Sequence, residues 1–306
     1  DPCRSKSVPP VSIERRILGR TGLSASAVGF GGSETGYAGV SARQVALILN
    51  DALDRGLNLI DTAACYGDGE AQLGAVLSHR RKDVILITKC GHAAGLAGDD
   101  WDPAMLAKSI DRSLKRLRTD YVDIMQFHSP DAATLDDPRV IEVLTRARAA
   151  GKARFIGLSS DGESALAAVE LGVFDTLQTS LSLADQEAID LTIPKAYERG
   201  MGVIAKRSLA NAAWRADSRG AYAAPYRERL GKLGYDFLTR EDAGATALRF
   251  TLSVPGLTAA LVGTTRLGRF EQNARAAALG MLPSEEYEEI RARWRCAGGA
   301  NWPGQR

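Results

Sequence analysis

The sequence predicts an α/β fold, namely a single (β/α)8 TIM barrel with an N-terminal β-hairpin and a C-terminal extra helix and tail. Eight short runs rich in Val, Ile and Leu alternate with segments of helical periodicity, and no linker divides the chain. Runs that are apolar throughout are typical of strands buried on both faces, as in a parallel sheet. Eight βα units in one chain favour a closed barrel, and a doubly wound open sheet is the alternative.

The strands are predicted from these apolar runs. A β-hairpin at residues 16–24 precedes the barrel. The eight strand candidates are residues 27–31, 57–62, 84–89, 121–128, 154–159, 176–181, 202–206 and 259–263.

The first helix is predicted between the first two strands, where Val45, Ile48 and Leu49 begin a stripe with period 3.6. Ser41 with Gln44 predicts a capping box at its start, and Gly56 predicts its end. The helix before the fourth strand has Asp102 as its predicted N-cap, followed by Pro103 and an apolar stripe of Leu106, Ile110, Leu114 and Leu117. Further helices are expected at residues 70–77, 138–149, 163–171, 189–199, 243–253, 269–280 and 284–294.

Three remaining segments have no predicted helix or strand. Residues 1–13 are predicted to be a disordered or extended lead-in to one domain at 14–306. Residues 211–241 are too long for a tight βα turn and could form a lid. The tail at 298–303 carries aromatic groups that either fold over a pocket or pack on the outside.

Composition excludes several classes of partner. The 39 basic and 37 acidic residues nearly balance, so neither nucleic acid nor an anionic membrane is expected as a partner. No apolar run is long enough to span a bilayer. Four cysteines favour free thiols in a reducing compartment, so we expect a cytoplasmic protein. The chain begins without Met, which leaves open the removal of residues upstream of Asp1.

Four chemically active residues follow three consecutive predicted strands. Asp61, Lys89 and His128 each close a strand, and Tyr66 lies five residues past Asp61. The carboxyl ends of barrel strands meet at the rim where such barrels do their chemistry. An acid, a phenol, an amine and an imidazole gathered there could deliver a proton. Each alone is more often structural, as a helix cap, a packed ring, a solvated amine or a satisfied imidazole, but their joint placement favours a working site.

A nicotinamide cofactor, if present, is not bound in the open-sheet manner. That manner requires Gly-x-Gly-x-x-Gly after the first strand. Here the segment reads Gly29-Phe30-Gly31-Gly32-Ser33-Glu34 and lacks the last glycine.

The order of motifs from about residue 16 to 280 resembles the aldo-keto reductase superfamily. The motifs are Asn58-Leu59-Ile60-Asp61-Thr62-Ala63-Ala64-Cys65-Tyr66-Gly67, Gly69-Glu70-x-x-Leu73-Gly74, Lys89, Asp123-Ile124-x-x-x-His128-Ser129-Pro130, Gly157-Leu158-Ser159-Ser160, Gln178 and Gly263-Thr264-Thr265-Arg266. The resemblance implies a reductase of aldehydes or ketones that uses NADPH/NADP+. A small carbonyl compound is then the expected substrate.

The chemistry of carbonyl reduction fits the four rim residues. A phenol has an ordinary pKa of about 10, and a neighbouring ammonium lowers it. We therefore expect Lys89 to lower the pKa of Tyr66 and Asp61 to keep Lys89 charged. Tyr66 would act as general acid in reduction and general base in oxidation, and His128 would orient the substrate oxygen.

The resemblance also implies a set of cofactor-binding residues. They are Gly32, Ser159, Ser160, Gln178, Lys206, Arg207, Ser208, Leu209, Gly263, Thr264, Thr265, Arg266, Arg269, Gln272 and Asn273. Arg266 favours a 2′-phosphate and so NADPH over NADH. Family members commonly place an aromatic residue near the end of the seventh strand, and here Lys206 or Arg207 takes that place. Arg207 is the candidate for stacking on the nicotinamide, because its guanidinium is planar.

Three residues are expected to form the substrate pocket. Ser33, Glu34 and Trp101 are expected to line the pocket, and His92 is more readily explained as part of a loop. A metal site of Cys90, His92 and His128 lacks a paired-ligand spacing, so no metal is expected. Two other functions stay open: a Schiff-base aldolase or lyase acting through Lys89, and an NADPH-binding regulatory subunit with little turnover.

Overall fold

The computed structural model describes residues 13–37, 39–218, 223–302 and 304, so the first twelve residues of the predicted lead-in lie outside it. Eight parallel strands close into a barrel, which confirms the predicted fold. Each strand pairs with the next along the chain, and the last strand pairs with the first through Ala260 and Val28. The barrel strands are β3 Val28–Gly31, β4 Leu59–Asp61, β5 Ile85–Cys90, β6 Val122–His128, β7 Ala153–Ser159, β8 Thr176–Ser180, β9 Gly202–Lys206 and β10 Ala259–Val262.

The N-terminal hairpin closes the bottom of the barrel. Its strands β1 Arg15–Ile17 and β2 Ser24–Ser26 are antiparallel. Leu18 between them is fully buried in the apolar cluster that fills the barrel interior. Gly19 has φ +50° and lies so close to the start of β9 that a side chain there would collide with the backbone of Gly202. The carboxyl ends of the strands therefore form the mouth that remains open to a ligand.

Thirteen α-helices occur in the described part of the chain, and most surround the barrel. They are α1 Ser33–Tyr37, α2 Ala42–Asp54, α3 Gly69–Leu77, α4 Pro103–Leu117, α5 Ala132–Leu135, α6 Pro138–Ala149, α7 Gly162–Leu171, α8 Glu187–Leu191, α9 Ile193–Glu198, α10 Ala224–Leu233, α11 Ala243–Leu252, α12 Arg269–Ala278 and α13 Ser284–Cys296. In the described residues, no helix combines the length and the apolar character that crossing a membrane requires.

Helix caps explain where the predicted helices begin. The Asp102 side chain accepts a hydrogen bond from the backbone amide of Met105 and caps α4, as predicted. Ser41 likewise accepts from the Gln44 amide. The reciprocal half of the predicted capping box is wrong, because the Gln44 side chain instead donates to the Thr265 carbonyl oxygen at 2.8 Å. It thus joins α2 to the loop after β10.

Two predicted segments differ from the structure. The single helix expected at 189–199 is broken between α8 and α9 at Thr192, because Pro194 cannot continue the hydrogen bonds of a preceding helix. The segment 211–241, for which no helix was predicted, contains α10. Tyr226 and Leu230 of α10 pack with Trp294 of α13 in a second apolar cluster beside the barrel.

The C-terminal tail folds towards the barrel mouth. Trp294 is buried, and the ring of Trp302 lies 5.5 Å from the guanidinium carbon of Arg229. Gly304 packs so closely on Asp161, just after β7, that a side chain at Gly304 would collide with it. Of the two arrangements left open for the tail, the structure therefore has the one at the rim.

Candidate active site

A buried ion pair lies at the base of the mouth. Asp61 ends β4, Lys89 lies near the end of the neighbouring strand β5, and their Oδ1 and Nζ atoms are 2.6 Å apart. Lys89 Nζ also donates to the Thr62 carbonyl oxygen at 2.8 Å, and only 2% of the lysine is exposed. Burial raises the pKa of Asp61, and the Lys89 ammonium opposes that rise.

The phenol of Tyr66 lies over this ion pair. The loop after β4 turns back so that the Ala64 amide donates to the Lys89 carbonyl oxygen at 3.1 Å. The Lys89 ammonium is then 5.4 Å from the centre of the Tyr66 ring. Burial raises the pKa of Tyr66 well above its ordinary value, and the negative charge of Asp61 raises it further. The predicted lowering is wrong in direction for this structure, because burial of the ring, and after it the charge of Asp61, favours the protonated phenol.

His128 is the last residue of β6 and faces the same mouth. Its ring centre is 5.6 Å from that of Tyr66, and its Nδ1 lies 3.3 Å from the sulfur of Cys65. Burial lowers the pKa of His128 well below its usual range, and the Lys89 ammonium adds to that effect. The imidazole is therefore neutral near pH 7. The structure thus brings together all four rim residues that the sequence indicated.

The loop after β5 forms one wall of the mouth. The ring of His92 is 5.5 Å from that of His128, and its Nδ1 pairs with Asp100 at 2.9 Å. Trp101 has φ +68° and packs against Phe127 and against Gly91, where a side chain would collide with the indole. The sequence favours a loop role for His92 over a place at the rim, and the structure has its ring at the rim. Its position three residues after Lys89 is the signal for that place.

The other predicted pocket residues lie in the segment after β3. Ser33 opens α1, and the carboxylate of Glu34 lies beside Gly263 just after β10. Burial raises the pKa of Glu34. Glu34 therefore lies next to the predicted cofactor loop. In the described residues, no group of three His, Cys, Asp or Glu side chains is arranged to hold a metal ion.

The ends of β7, β8 and β9 carry a dense polar cluster. Lys206 Nζ pairs with Asp161 at 3.0 Å and lies 3.5 Å from the Ser159 hydroxyl. Arg207 has φ +56° and donates to the Ser180 hydroxyl at 2.9 Å. Asp161 also accepts from the Ser180 amide at 2.6 Å. Asp161 is not among the predicted site residues. Its position directly after Ser160 is the signal that could have indicated it, because a carboxylate there can pair with cations at a neighbouring strand end.

Several of the predicted cofactor residues lie at this rim, and some of them are buried. The buried amide oxygen of Gln178 has no hydrogen-bond partner among the described residues. The Ser160 amide donates to the Gln178 carbonyl oxygen at 3.0 Å. Ser208 is buried, with its hydroxyl donating to the Ala205 carbonyl oxygen, and Leu209 packs against the core. Gly32 approaches the Asp61 carbonyl oxygen too closely for a side chain.

The loop after β10 leads into α12. The Thr264 hydroxyl accepts from the Arg266 amide at 3.1 Å, and the Arg266 side chain is 65% exposed with Asp217 at 3.7 Å. Gly268 is the N-cap residue of α12, and no side-chain hydrogen bond caps the helix. Arg269 donates to Gln272 within the first turn at 2.6 Å, and Asn273 is buried just beyond it. Gly263 and Thr265 complete the segment, which offers backbone donors of the kind that bind phosphate.

Comparisons with known proteins show the family and the fold of the chain. Residues 27–295 match the model of the Aldo/keto reductase family. The chain is similar to L-galactose dehydrogenase of Arabidopsis thaliana, with 31% identity over 95% of this chain and 97% of that protein. A putative aldo-keto reductase of Pseudomonas aeruginosa has a similar structure, with TM-score 0.70 and 27% identity over 88% of this chain and 97% of the other. An aldo-keto reductase of Bacillus halodurans in its holo form aligns with TM-score 0.79 and 24% identity over 92% and 96% of the two chains.

Proposed function

The chain belongs to the aldo/keto reductase family, and from that premise we propose that it reduces aldehydes and ketones to alcohols with NADPH, using Tyr66 as the general acid. One observation carries the proposal. Tyr66 and His128 meet at the barrel mouth above an ion pair of Asp61 and Lys89 that the solvent does not reach. This is a set of donors directed at one small region, as stabilisation of a developing oxyanion requires.

NADPH, when bound, supplies the hydride to the carbonyl carbon. The residues of the chain manage the proton. Burial keeps the pKa of Tyr66 high, so its hydroxyl carries a proton at neutral pH and can donate it to the substrate oxygen. His128 is neutral and donates a hydrogen bond to the same oxygen, while the positive charge of Lys89 favours the phenolate that forms as Tyr66 loses its proton.

The residues at the rim fit a nicotinamide dinucleotide. The unpartnered amide oxygen of Gln178 can accept from the amino group of a carboxamide, beside Ser159 and Ser160. The N-terminus of α12, free of a side-chain cap, and the exposed Arg266 suit the phosphates at the other end. These two places lie after β8 and after β10, with only β9 between the two strands, so one extended molecule that follows the rim can occupy both.

The proposal is tested by NADPH consumption on a panel of aldehydes and ketones. We expect turnover of at least one member of the panel, with NADPH preferred over NADH. Tight NADPH binding without turnover of any member, together with a recovered protein partner, would instead support the regulatory-subunit alternative. The Schiff-base alternative is disfavoured because Lys89 is buried and held by Asp61 and Thr62. Borohydride trapping of a substrate on Lys89 without cofactor turnover would support it.

A second candidate is the reverse reaction on a sugar. The similarity to L-galactose dehydrogenase covers nearly the whole chain and favours it. Tyr66 would then have to act as a base, which its raised pKa disfavours in the structure without cofactor. Assays of NADP+ and NAD+ reduction with L-galactose and other aldoses decide between the two directions.

Replacing Arg266 with alanine is expected to weaken NADPH binding far more than NADH binding. The guanidinium can form paired, charge-assisted hydrogen bonds to a 2′-phosphate, so its loss should raise the Kd for NADPH about 10- to 100-fold. Isothermal titration of both cofactors measures the ratio. Arg275→Ala is the matched control, because Arg275 lies on α12, just after the loop that carries Arg266, and pairs with Glu271. Equal losses for the two cofactors in Arg266→Ala would contradict the assignment.

Replacing Arg207 with tyrosine is expected to strengthen NADP+ binding relative to NADPH. A guanidinium beside the nicotinamide should repel the oxidised, cationic ring, and its removal should change the ratio of the two Kd values by about tenfold. The Arg207 side chain already lies at the rim, bonded to Ser180. Lys206→Met serves as the comparison, and a larger change there would identify Lys206 as the nearer cation. An unchanged ratio in Arg207→Tyr rejects the stacking hypothesis.

A further inference from the structure

Cys65 contacts His128, but the proposed proton transfer to the substrate does not use Cys65. The sulfur lies 3.3 Å from Nδ1 of the imidazole, within hydrogen-bonding distance for a thiol. Cys65 immediately precedes Tyr66, and the backbone of this loop is fixed at two further points. The Tyr37 hydroxyl donates to the Cys65 carbonyl oxygen at 2.8 Å, and the Ala64 amide donates to the Lys89 carbonyl oxygen.

We propose that Cys65 is a positioning residue that holds His128 in one tautomer, with the proton on Nε2. The inference rests on the proposed function, in which His128 donates a hydrogen bond to the substrate oxygen. A neutral imidazole carries only one N–H, and the hydrogen bond made by one nitrogen decides which nitrogen has the proton. With Nδ1 engaged by Cys65, Nε2 is the nitrogen left to donate to a substrate.

The direction of the hydrogen bond follows from the chemistry of the two groups. The thiol is a weak donor and its sulfur a weak acceptor, whereas the lone pair of a neutral imidazole nitrogen is a good acceptor. The proposal therefore assigns S–H as the donor and Nδ1 as the acceptor. Burial raises the pKa of Cys65, which keeps the thiol protonated and able to donate.

Proton transfer from the thiol to the imidazole does not compete with this arrangement. Burial lowers the pKa of His128, and the ammonium of Lys89 lowers it further, so a second proton on the ring is disfavoured. The neighbouring rings of Tyr66 and His92 meet His128 edge to face, with centres 5.6 and 5.5 Å away. The hydrogen bond with Cys65 is therefore a direct polar contact that can determine which ring nitrogen of His128 carries the proton.

Nitrogen NMR tests the inference on the protein without substrate. The chain has 3 histidines, so a histidine-labelled sample gives few signals, and that of His128 is assigned by its loss in His128→Asn. We expect Nδ1 of His128 to have the chemical shift of an unprotonated nitrogen and Nε2 that of a protonated one. A protonated Nδ1 in the parent protein overturns the proposal. This readout needs no turnover, so it stays decisive even if no carbonyl substrate is found.

Kinetics supply the second test if the protein reduces a member of the panel. Cys65→Ala removes the donor and should lower kcat about five- to tenfold, the loss of one modest hydrogen bond, with the Kd for NADPH unchanged. Cys65→Ser keeps a donor at the same place and should restore kcat to within about twofold. The control is Cys296→Ala, at an exposed cysteine on α13. An unchanged kcat in Cys65→Ala, or a Cys65→Ser variant as slow as Cys65→Ala, contradicts the proposal.

Discussion

Replacing Tyr66 with phenylalanine is expected to reduce carbonyl turnover by about two orders of magnitude or more, the contribution of a well-placed general acid. The substitution removes a single oxygen atom and keeps the ring that lies over Lys89 and meets His128. The measured quantity is kcat for NADPH consumption on the best member of the aldehyde panel. The Kd for NADPH should change little, since the ion pair and the polar cluster after β7 to β9 remain.

The pH dependence of the parent protein gives a related expectation. Burial raises the pKa of Tyr66 above its ordinary value, so the hydroxyl keeps its proton throughout the neutral range. A reductase that uses it as a donor should then show no loss of kcat between about pH 6 and 9 that is due to this group. Tyr197→Phe, at an exposed tyrosine on α9, controls for the loss of a hydroxyl elsewhere. Unchanged turnover in Tyr66→Phe would remove Tyr66 from the mechanism.

The positions of the four rim residues could be predicted because they depend on backbone order alone. Once a run of residues is a parallel barrel strand, its last residue lies at the mouth, and Asp61 and His128 each end such a run. The direction of the pKa shift of Tyr66 could not be predicted in the same way. It depends on how deeply the ring is buried and on which charges surround it, and that of Asp61 has the largest effect after burial.

Contacts between residues distant in sequence account for the other differences. Asp161 pairs with Lys206, and Cys65 contacts His128, yet no local pattern connects either pair. The break between α8 and α9 was a local signal that the analysis overlooked, because Pro194 lies inside the predicted helix. Helix α10 was hidden for another reason. It packs on α13, about 60 residues away, in a cluster outside the barrel, and no local pattern shows that these two helices meet.

Replacing Lys89 with methionine is expected to abolish activity and to destabilise the protein by about 3–5 kcal/mol at neutral pH, the usual cost of leaving a buried charge without its partner. Asp61 is buried, and Lys89 Nζ lies 2.6 Å from its carboxylate. Burial already raises the pKa of Asp61 against the opposing effect of Lys89. Without the ammonium, that pKa should rise further.

The sign of the pH dependence follows from this shift. A folded Asp61 with a raised pKa binds its proton more tightly than Asp61 in the unfolded chain, whose pKa is about 3.9. Below that value both states are protonated and the penalty is smallest. As pH rises from there towards the folded-state pKa, the unfolded chain loses its proton first, so the Lys89→Met variant should lose stability by up to about 1.4 kcal/mol per pH unit. Urea unfolding of the variant and the parent between pH 5 and 8 measures the difference.

The double variant Lys89→Met with Asp61→Asn separates this electrostatic effect from lost packing. An amide has nearly the shape of the carboxylate but does not titrate, so the extra pH dependence should disappear while the loss of the lysine's contacts remains. The double variant should also be more stable than Lys89→Met alone above about pH 6, because no buried carboxylate is left without a cation. Parallel pH profiles for the parent and Lys89→Met would show that Asp61 reaches solvent or another cation once Lys89 is gone. The ion pair would then not be isolated at the base of the mouth.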